Sequence, residues 1–225
     1  TIGGLTQAGK GTFDLFVGSA TYTGDVVIGD ITVNLTNTGD LVLDILNGVS
    51  TTGTVTIGDV DYSGYGALTG ATSSTIDVTG YLGAPNIIGS AFTDRILDNT
   101  FTNSMTGGSG MDTFVINAGN KNLTAAKADE ITDMTTGVDT IEVTIADGSD
   151  VDKYFEGSYA NFTAFITDAA VQMANGGDED DIVAGQVGGD VWVAFDVDGG
   201  DAPDTVVKLS GIDLNGINFA DFDIV

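Results

Sequence analysis

Three nine-residue segments lie in register between residues 89 and 115. They read Gly89-Ser-Ala-Phe-Thr-Asp94-Arg-Ile-Leu97, Asp98-Asn-Thr-Phe-Thr-Asn103-Ser-Met-Thr106 and Gly107-Gly-Ser-Gly-Met-Asp112-Thr-Phe-Val115. The sixth place is Asp, Asn, Asp, and the eighth is Ile96, Met105, Phe114. The last segment is a complete G-G-x-G-x-D-x-U-x. Carboxylates beside main-chain carbonyls form an all-oxygen donor set, which suits a hard divalent cation. Calcium accepts an irregular shell of about six to eight oxygens, whereas magnesium demands tighter geometry.

Those residues meet only if the chain coils. If two nonapeptides make one coil of a parallel β-roll, residues 18 apart stack about one strand spacing, roughly 4.8 Å, from each other. Asp94 and Asp112 are 18 apart, and Asn103 falls on the opposite side. The spacing therefore directs Asp94 and Asp112 toward one ion, with carbonyls of Gly89, Gly107 and Ser109 as further donors. The glycines let the turn take positive φ and let the backbone approach the ion closely. A Gly-rich β turn with solvated Asp is the alternative.

A second acidic cluster is Asp196-Val-Asp198-Gly-Gly-Asp201-Ala-Pro-Asp204. Its spacing around glycine is similar to an ion-binding loop. It is not an EF-hand, because the twelfth place is Val207 instead of Glu. Solvated acids in a hairpin loop are the other reading. The run Asp178-Glu-Asp-Asp181 reads as a solvated loop.

Upstream, residues 1 to about 80 read as short strands punctuated by glycine. Thr23-Gly-Asp-Val-Val-Ile-Gly-Asp-Ile31 and Thr52-Gly-Thr-Val-Thr-Ile-Gly-Asp-Val60 match at a 29-residue offset. This is either a repeat or the chance likeness of Thr/Gly/Val-rich sequence. Gly80 to Ile88 looks like a degenerate leading turn with Pro85 at the acidic place, so it binds nothing. Residues 117 to 145 read as two strands around a turn. Over 160–175, Phe162, Phe165, Ile166, Ala169, Ala170 and Met173 follow helical spacing, and Asn175-Gly-Gly ends the helix. Val187 to Phe195 and Thr205 to Leu209 read as two strands joined by the acidic loop. The tail from Ile217 to Val225 is short, apolar and acidic.

The expected architecture is mainly β: a β sandwich or solenoid, then a short parallel β-roll and a C-terminal β-rich cap with one helix. The expected domains are 1–80, a Thr/Gly-rich β domain; 81–145, the roll and its cap; and 146–225, a C-terminal domain with the helix.

Composition narrows the function classes. The chain has 225 residues and a formal charge of −27, from 33 acidic and 6 basic side chains, yet it is 42% hydrophobic. It is therefore a folded acidic protein, not a disordered tail. Ten acidic residues precede residue 101 and 23 follow it. Such a charge repels itself in the compact state, and bound cations relieve that repulsion. Nucleic acid is not a partner, since its phosphates need Lys and Arg. There is no Cys and no His, which excludes disulfides, thiolate sites, the usual zinc sites and His-based triads. No stretch approaches 18 consecutive apolar residues, so no transmembrane segment is expected. Thr1 in place of an initiator Met points to a processed chain or a fragment. Trp192, Tyr62 and Tyr65 read as core packing before sugar-stacking groups.

At these residues the chain resembles the C-terminal region of RTX-type calcium-binding proteins exported by type I secretion. Three parts carry the resemblance, over residues 86 to 225. The first is the Gly107–Val115 nonapeptide. The second is Asp129-Glu-Ile-Thr-Asp133-Met with Gly137-Val-Asp139-Thr-Ile-Glu-Val143, like the family's cap on the roll, with Met134 where Phe is usual and Glu142 where Asp is usual. The third runs from Val191 through Asp204-Thr-Val-Val-Lys-Leu-Ser-Gly211 to Phe219-Ala-Asp-Phe222, similar to the ending of such secretion domains. The resemblance implies Ca2+ as cofactor, bound outside the cell and driving folding. It implies a type I secretion transporter as partner, reading an uncleaved C-terminal signal. Asp94, Asp112 and Asp129 inherit ligand roles, and Asn103 only weakly. With one complete nonapeptide, one or two roll sites are implied instead of a long array.

No enzymatic activity is expected. Protease and lipase cargoes of this secretion route need histidine. The expectation is a secreted structural protein that self-assembles at the cell surface as a surface-layer or filament subunit, a homo-oligomer or polymer with calcium bridging acidic patches. The alternatives are an adhesin or ligand-binding module, or the non-catalytic part of a larger secreted protein.

Overall fold

A computed structural model describes the backbone of residues 26–28, 31–32, 41–44, 55–57, 60–61 and 73–74. It describes residues 75–79, 84–117, 123–145, 154–174, 181–200 and 202–225 with their side chains. The protein is mainly β with one α-helix among these residues, and it divides into two compact units, Thr1–Val115 and Ile116–Val225.

The first unit is built of short strands: β1 Val26–Ile28, β2 Ile31–Thr32, β3 Leu41–Asp44, β4 Val55–Ile57, β5 Val60–Asp61, β6 Ser73–Asp77, β7 Asn86–Ile88, β8 Thr93–Leu97, β9 Ser104–Thr106 and β10 Thr113–Ile116. Their described pairings are parallel. β1 and β4 form a sheet of their own, and from β5 onward successive strands alternate between two stacks, β2-β5-β7-β9 and β3-β6-β8-β10. This is a coil, so the solenoid alternative holds and the sandwich does not. The 29-residue offset is a structural repeat: Val26 pairs with Val55, and Ile31 with Val60. Across the nonapeptides the offset becomes 18, with Ile87 opposite Met105 and Ile96 opposite Phe114. The stack also runs unbroken past residue 80, where β5 pairs with β7 and β6 with β8.

The eighth places form its core. Ile96, Met105 and Phe114 have no exposed surface, and neither do Ile76 and Ile87. Each such side chain contributes about 1.5–3 kcal/mol by leaving water. Alternation along β8 buries Asp94 and Ile96 on the same face, because side chains two apart in a strand point the same way.

The second unit contains β11 Asp129–Ile131, β12 Thr140–Val143, β13 Tyr154–Tyr159, α1 Phe162–Met173, β14 Ile182–Val187, β15 Asp190–Phe195, β16 Thr205–Leu209 and β17 Phe222–Ile224. One run of strands is β13-β14-β15-β16-β11, and β12 pairs with β17. The two strands expected over 117–145 form, but they pair elsewhere: β11 lies parallel to β16, and β12 parallel to β17. The strands expected from Val187 to Phe195 and from Thr205 to Leu209 form as β15 and β16 around the acidic loop, with the first beginning at Asp190. Gly188-Gly189 breaks the segment into a tight antiparallel hairpin, β14 to β15, with Gly188 at φ 67°. Two glycines favour that turn because it needs positive φ.

The helix runs where its apolar spacing placed it. Asn161 caps it, its side chain accepting from the Ala164 amide at 2.9 Å. α1 joins the parallel neighbours β13 and β14, a connection that needs a crossover element. Phe165, Ala169 and Met173 pack on Val183, Trp192, Ala194 and Val206. Trp192 meets the Phe162 ring edge-on at 4.7 Å, so it is a core residue. Tyr62 and Tyr65 lie outside the described residues. Asn175-Gly-Gly and residues 178–180 do as well.

Candidate metal centres

Turns 89–94 and 107–112 both lead from the β7/β9 stack to the β8/β10 stack, so they lie on one edge of the coil. Turn 98–103 lies on the other edge. The 18-residue register brings Asp94 and Asp112 together on adjacent coils: the Asp94 amide donates to Asp112 Oδ1 at 2.9 Å. Both carboxylates are buried, at 0% and 2% exposure. Ser90 is the neighbour that sequence spacing did not single out. Its amide donates to Asp94 Oδ2 at 2.6 Å, and its hydroxyl reaches both Asp94 oxygens at 2.9 and 3.0 Å. The Ser90 carbonyl accepts from the Ser109 amide at 3.3 Å.

Glycine is required in these turns. Gly108 and Gly110 take φ of 100° and 142°. A Cβ on Gly107 would collide with the Asp112 carboxylate, and one on Gly89 with the Gly107 carbonyl. Main-chain oxygen and carboxylate oxygen are therefore packed closely along this edge.

The second centre lies between β15 and β16. Asp196 Oδ1 accepts from the amides of Gly199 and Gly200 at 3.0 and 3.3 Å. Asp204 Oδ2 accepts from those of Val197 and Asp198, both at 3.1 Å. These bonds fold the loop back on itself. As a result Asp196, Asp198 and Asp204 bring one carboxylate oxygen each within 4.8 Å of one another. Asp196 and Asp204 are buried, and Asp198 is exposed. Three carboxylates gathered this closely repel one another. One divalent cation converts the repulsion into attraction. The triad can hold a metal ion.

Asp201 lies outside the described residues. Asp129 stands apart from the triad, at the head of β11 opposite Val207 of β16, and is 1% exposed. Beside it, Glu130 meets Lys208 at 3.0 Å, and Lys208 also meets Asp190 at 3.3 Å. A hydrogen bond from Ser210 and then Lys208 hold the Glu130 carboxyl below its usual range, while the Glu130 hydrogen bond raises Lys208. Asp181 contributes its carbonyl to the acidic loop, accepting from the Asp196 amide at 3.0 Å.

Buried Asp221 anchors the C-terminal tail. It accepts from Thr136 Oγ1, the Gly137 amide and the Asn218 amide at 2.6, 2.7 and 2.8 Å. The Ala-Asp-Phe222 ending signalled it, but not that two of its partners, Thr136 and Gly137, lie 85 and 84 residues back. No protein-family model and no curated protein matches this chain. Among the described residues no helix is long and apolar enough to cross a membrane.

Proposed function

We propose that this is a secreted, calcium-binding structural protein that self-assembles at the cell surface as a surface-layer or filament subunit. The observation carrying the reading is the parallel 18-residue register that sets Asp94 and Asp112 on adjacent turns of one edge. The Asp196, Asp198 and Asp204 cluster adds a second all-oxygen site. A net charge of −27 supports a function that uses cations, since neutralising it favours both folding and contact between copies. The absence of His and Cys supports a non-catalytic role. The nonapeptide and the C-terminal ending support export through a type I secretion transporter.

Calorimetric titration of the chelator-treated protein with calcium tests the reading. Heat of binding with saturation at a small number of ions supports it, with weaker binding in Asp94→Asn and Asp112→Asn. Equal, negligible heats in all three proteins would sink it. Trp192, the residue that would favour a sugar-binding surface, is packed in the core.

A further inference from the structure

The three nonapeptide turns are closed in different ways, and the difference lies at their second places: Ser90, Asn99 and Gly108. In turn 98–103 the Asn99 Oδ1 accepts from the Phe101 amide at 2.9 Å and from Asn103 Nδ2 at 3.0 Å. Asn103 Nδ2 also donates to the Phe101 carbonyl at 2.8 Å. Both asparagines are 1% exposed. A neutral amide group thus fills the inside of this turn and uses the carbonyl that faces it. Both of its bonds run from the Asn103 amide nitrogen, a donor, so the turn closes on itself without a cation. Turn 107–112 has no such device, since Gly108 offers no side chain.

We infer that the Asn99–Asn103 clasp is a metal-independent closure that fixes one edge of the coil and pre-orders the opposite edge for calcium. The inference rests on the calcium reading proposed for Asp94 and Asp112. Its physical basis is connectivity. Turn 98–103 joins β8 to β9, and the bonds at their ends, Gly89 amide to Thr106 carbonyl at 2.7 Å and Asp98 amide to Val115 carbonyl at 3.2 Å, carry the 18-residue register. With that turn closed, Asp94 and Asp112 are held one strand apart without the ion. Calcium then orders less chain on binding, and its apparent affinity rises accordingly.

The Phe101 amide reports the clasp directly, because its acceptor is the Asn99 side chain. The experiment is amide hydrogen exchange of the full chain by NMR, in calcium and in excess chelator. Expected is a Phe101 amide that stays protected in both, while Ser109 exchanges roughly tenfold or more faster without calcium. Asn99→Ala should speed Phe101 exchange by roughly tenfold in either condition, as one lost hydrogen bond would, and raise the calcium needed to protect Ser109. Asn103→Asp, which replaces the donor with a carboxylate, should make Phe101 protection calcium-dependent. Loss of Phe101 protection on chelation of the unaltered chain would overturn the inference. So would Phe101 protection unmoved by Asn99→Ala. A Ser109 amide indifferent to calcium would overturn the calcium reading and the pre-ordering role, while Phe101 in Asn99→Ala still judges the clasp.

Discussion

Asp196, Asp204 and Asp221 are buried carboxylates: the first two are held by backbone amides of their own loop, and Asp221 by the Asn218 amide of its own turn and the Gly137 amide of a distant one. A buried carboxylate is tolerated only when its oxygens are met by donors. These residues therefore have a structural duty besides any ligand duty, and substitutions separate the two. Asp204→Ala strips the acceptor from two amides and should cost about 1–3 kcal/mol even in chelator, read as a fall in midpoint by denaturant unfolding. Exposed Asp198 is different. Asp198→Asn should weaken calcium binding by roughly tenfold or more, as loss of one charged ligand would, while the chelated protein unfolds at an unchanged midpoint. If Asp198→Asn binds calcium as tightly as the unaltered chain, the triad is not a metal centre. The candidate aspartates were legible because they recur at fixed spacing beside glycine. Ser90 and Asn99 were not, since a small polar residue in a turn carries no periodic signal and its worth depends on which turn oxygen it meets.

At the scale of elements, α1 was legible from its spacing, and Gly185 beneath it was not. A Cβ on Gly185 would strike the Phe165 ring, so the glycine exists for close helix–sheet contact. Gly185→Ala should destabilise the second unit by about 1–3 kcal/mol through overpacking, with loss of near-ultraviolet dichroism from Trp192. The pairing of β11 with β16 was hidden for a related reason: local sequence sets which face is apolar, and the partner comes from about 80 residues away. Lys208 links that pairing to β15 through Glu130 and Asp190. The Glu130 carboxyl is held below its usual range, so its contribution is present at neutral pH and fades as pH falls through the lowered value. The pair is partly exposed, so the effect is small, about 1 kcal/mol or less. Lys208→Met should flatten the acid limb of the stability–pH curve below the ordinary carboxylate range and leave its slope between pH of about 6 and 9 unchanged.

For the whole molecule, charge and coiling act together. The 29-residue likeness in the N-terminal part left two readings open in sequence, and the parallel pairing of Val26 with Val55 decides for the coil. A coil of short parallel strands stacks acidic turns above one another, as it does those of Asp94 and Asp112, and the chain as a whole carries a charge of −27. Repulsion of this kind is screened by any salt but bridged only by multivalent ions. Sodium chloride should therefore not replace calcium in ordering the protein. The most direct test is size and shape by light scattering and electron microscopy, in calcium and then in excess chelator. Large ordered assemblies that form in calcium and disperse in chelator are the predicted result. The same size and shape in both conditions would contradict a calcium-bridged structural subunit.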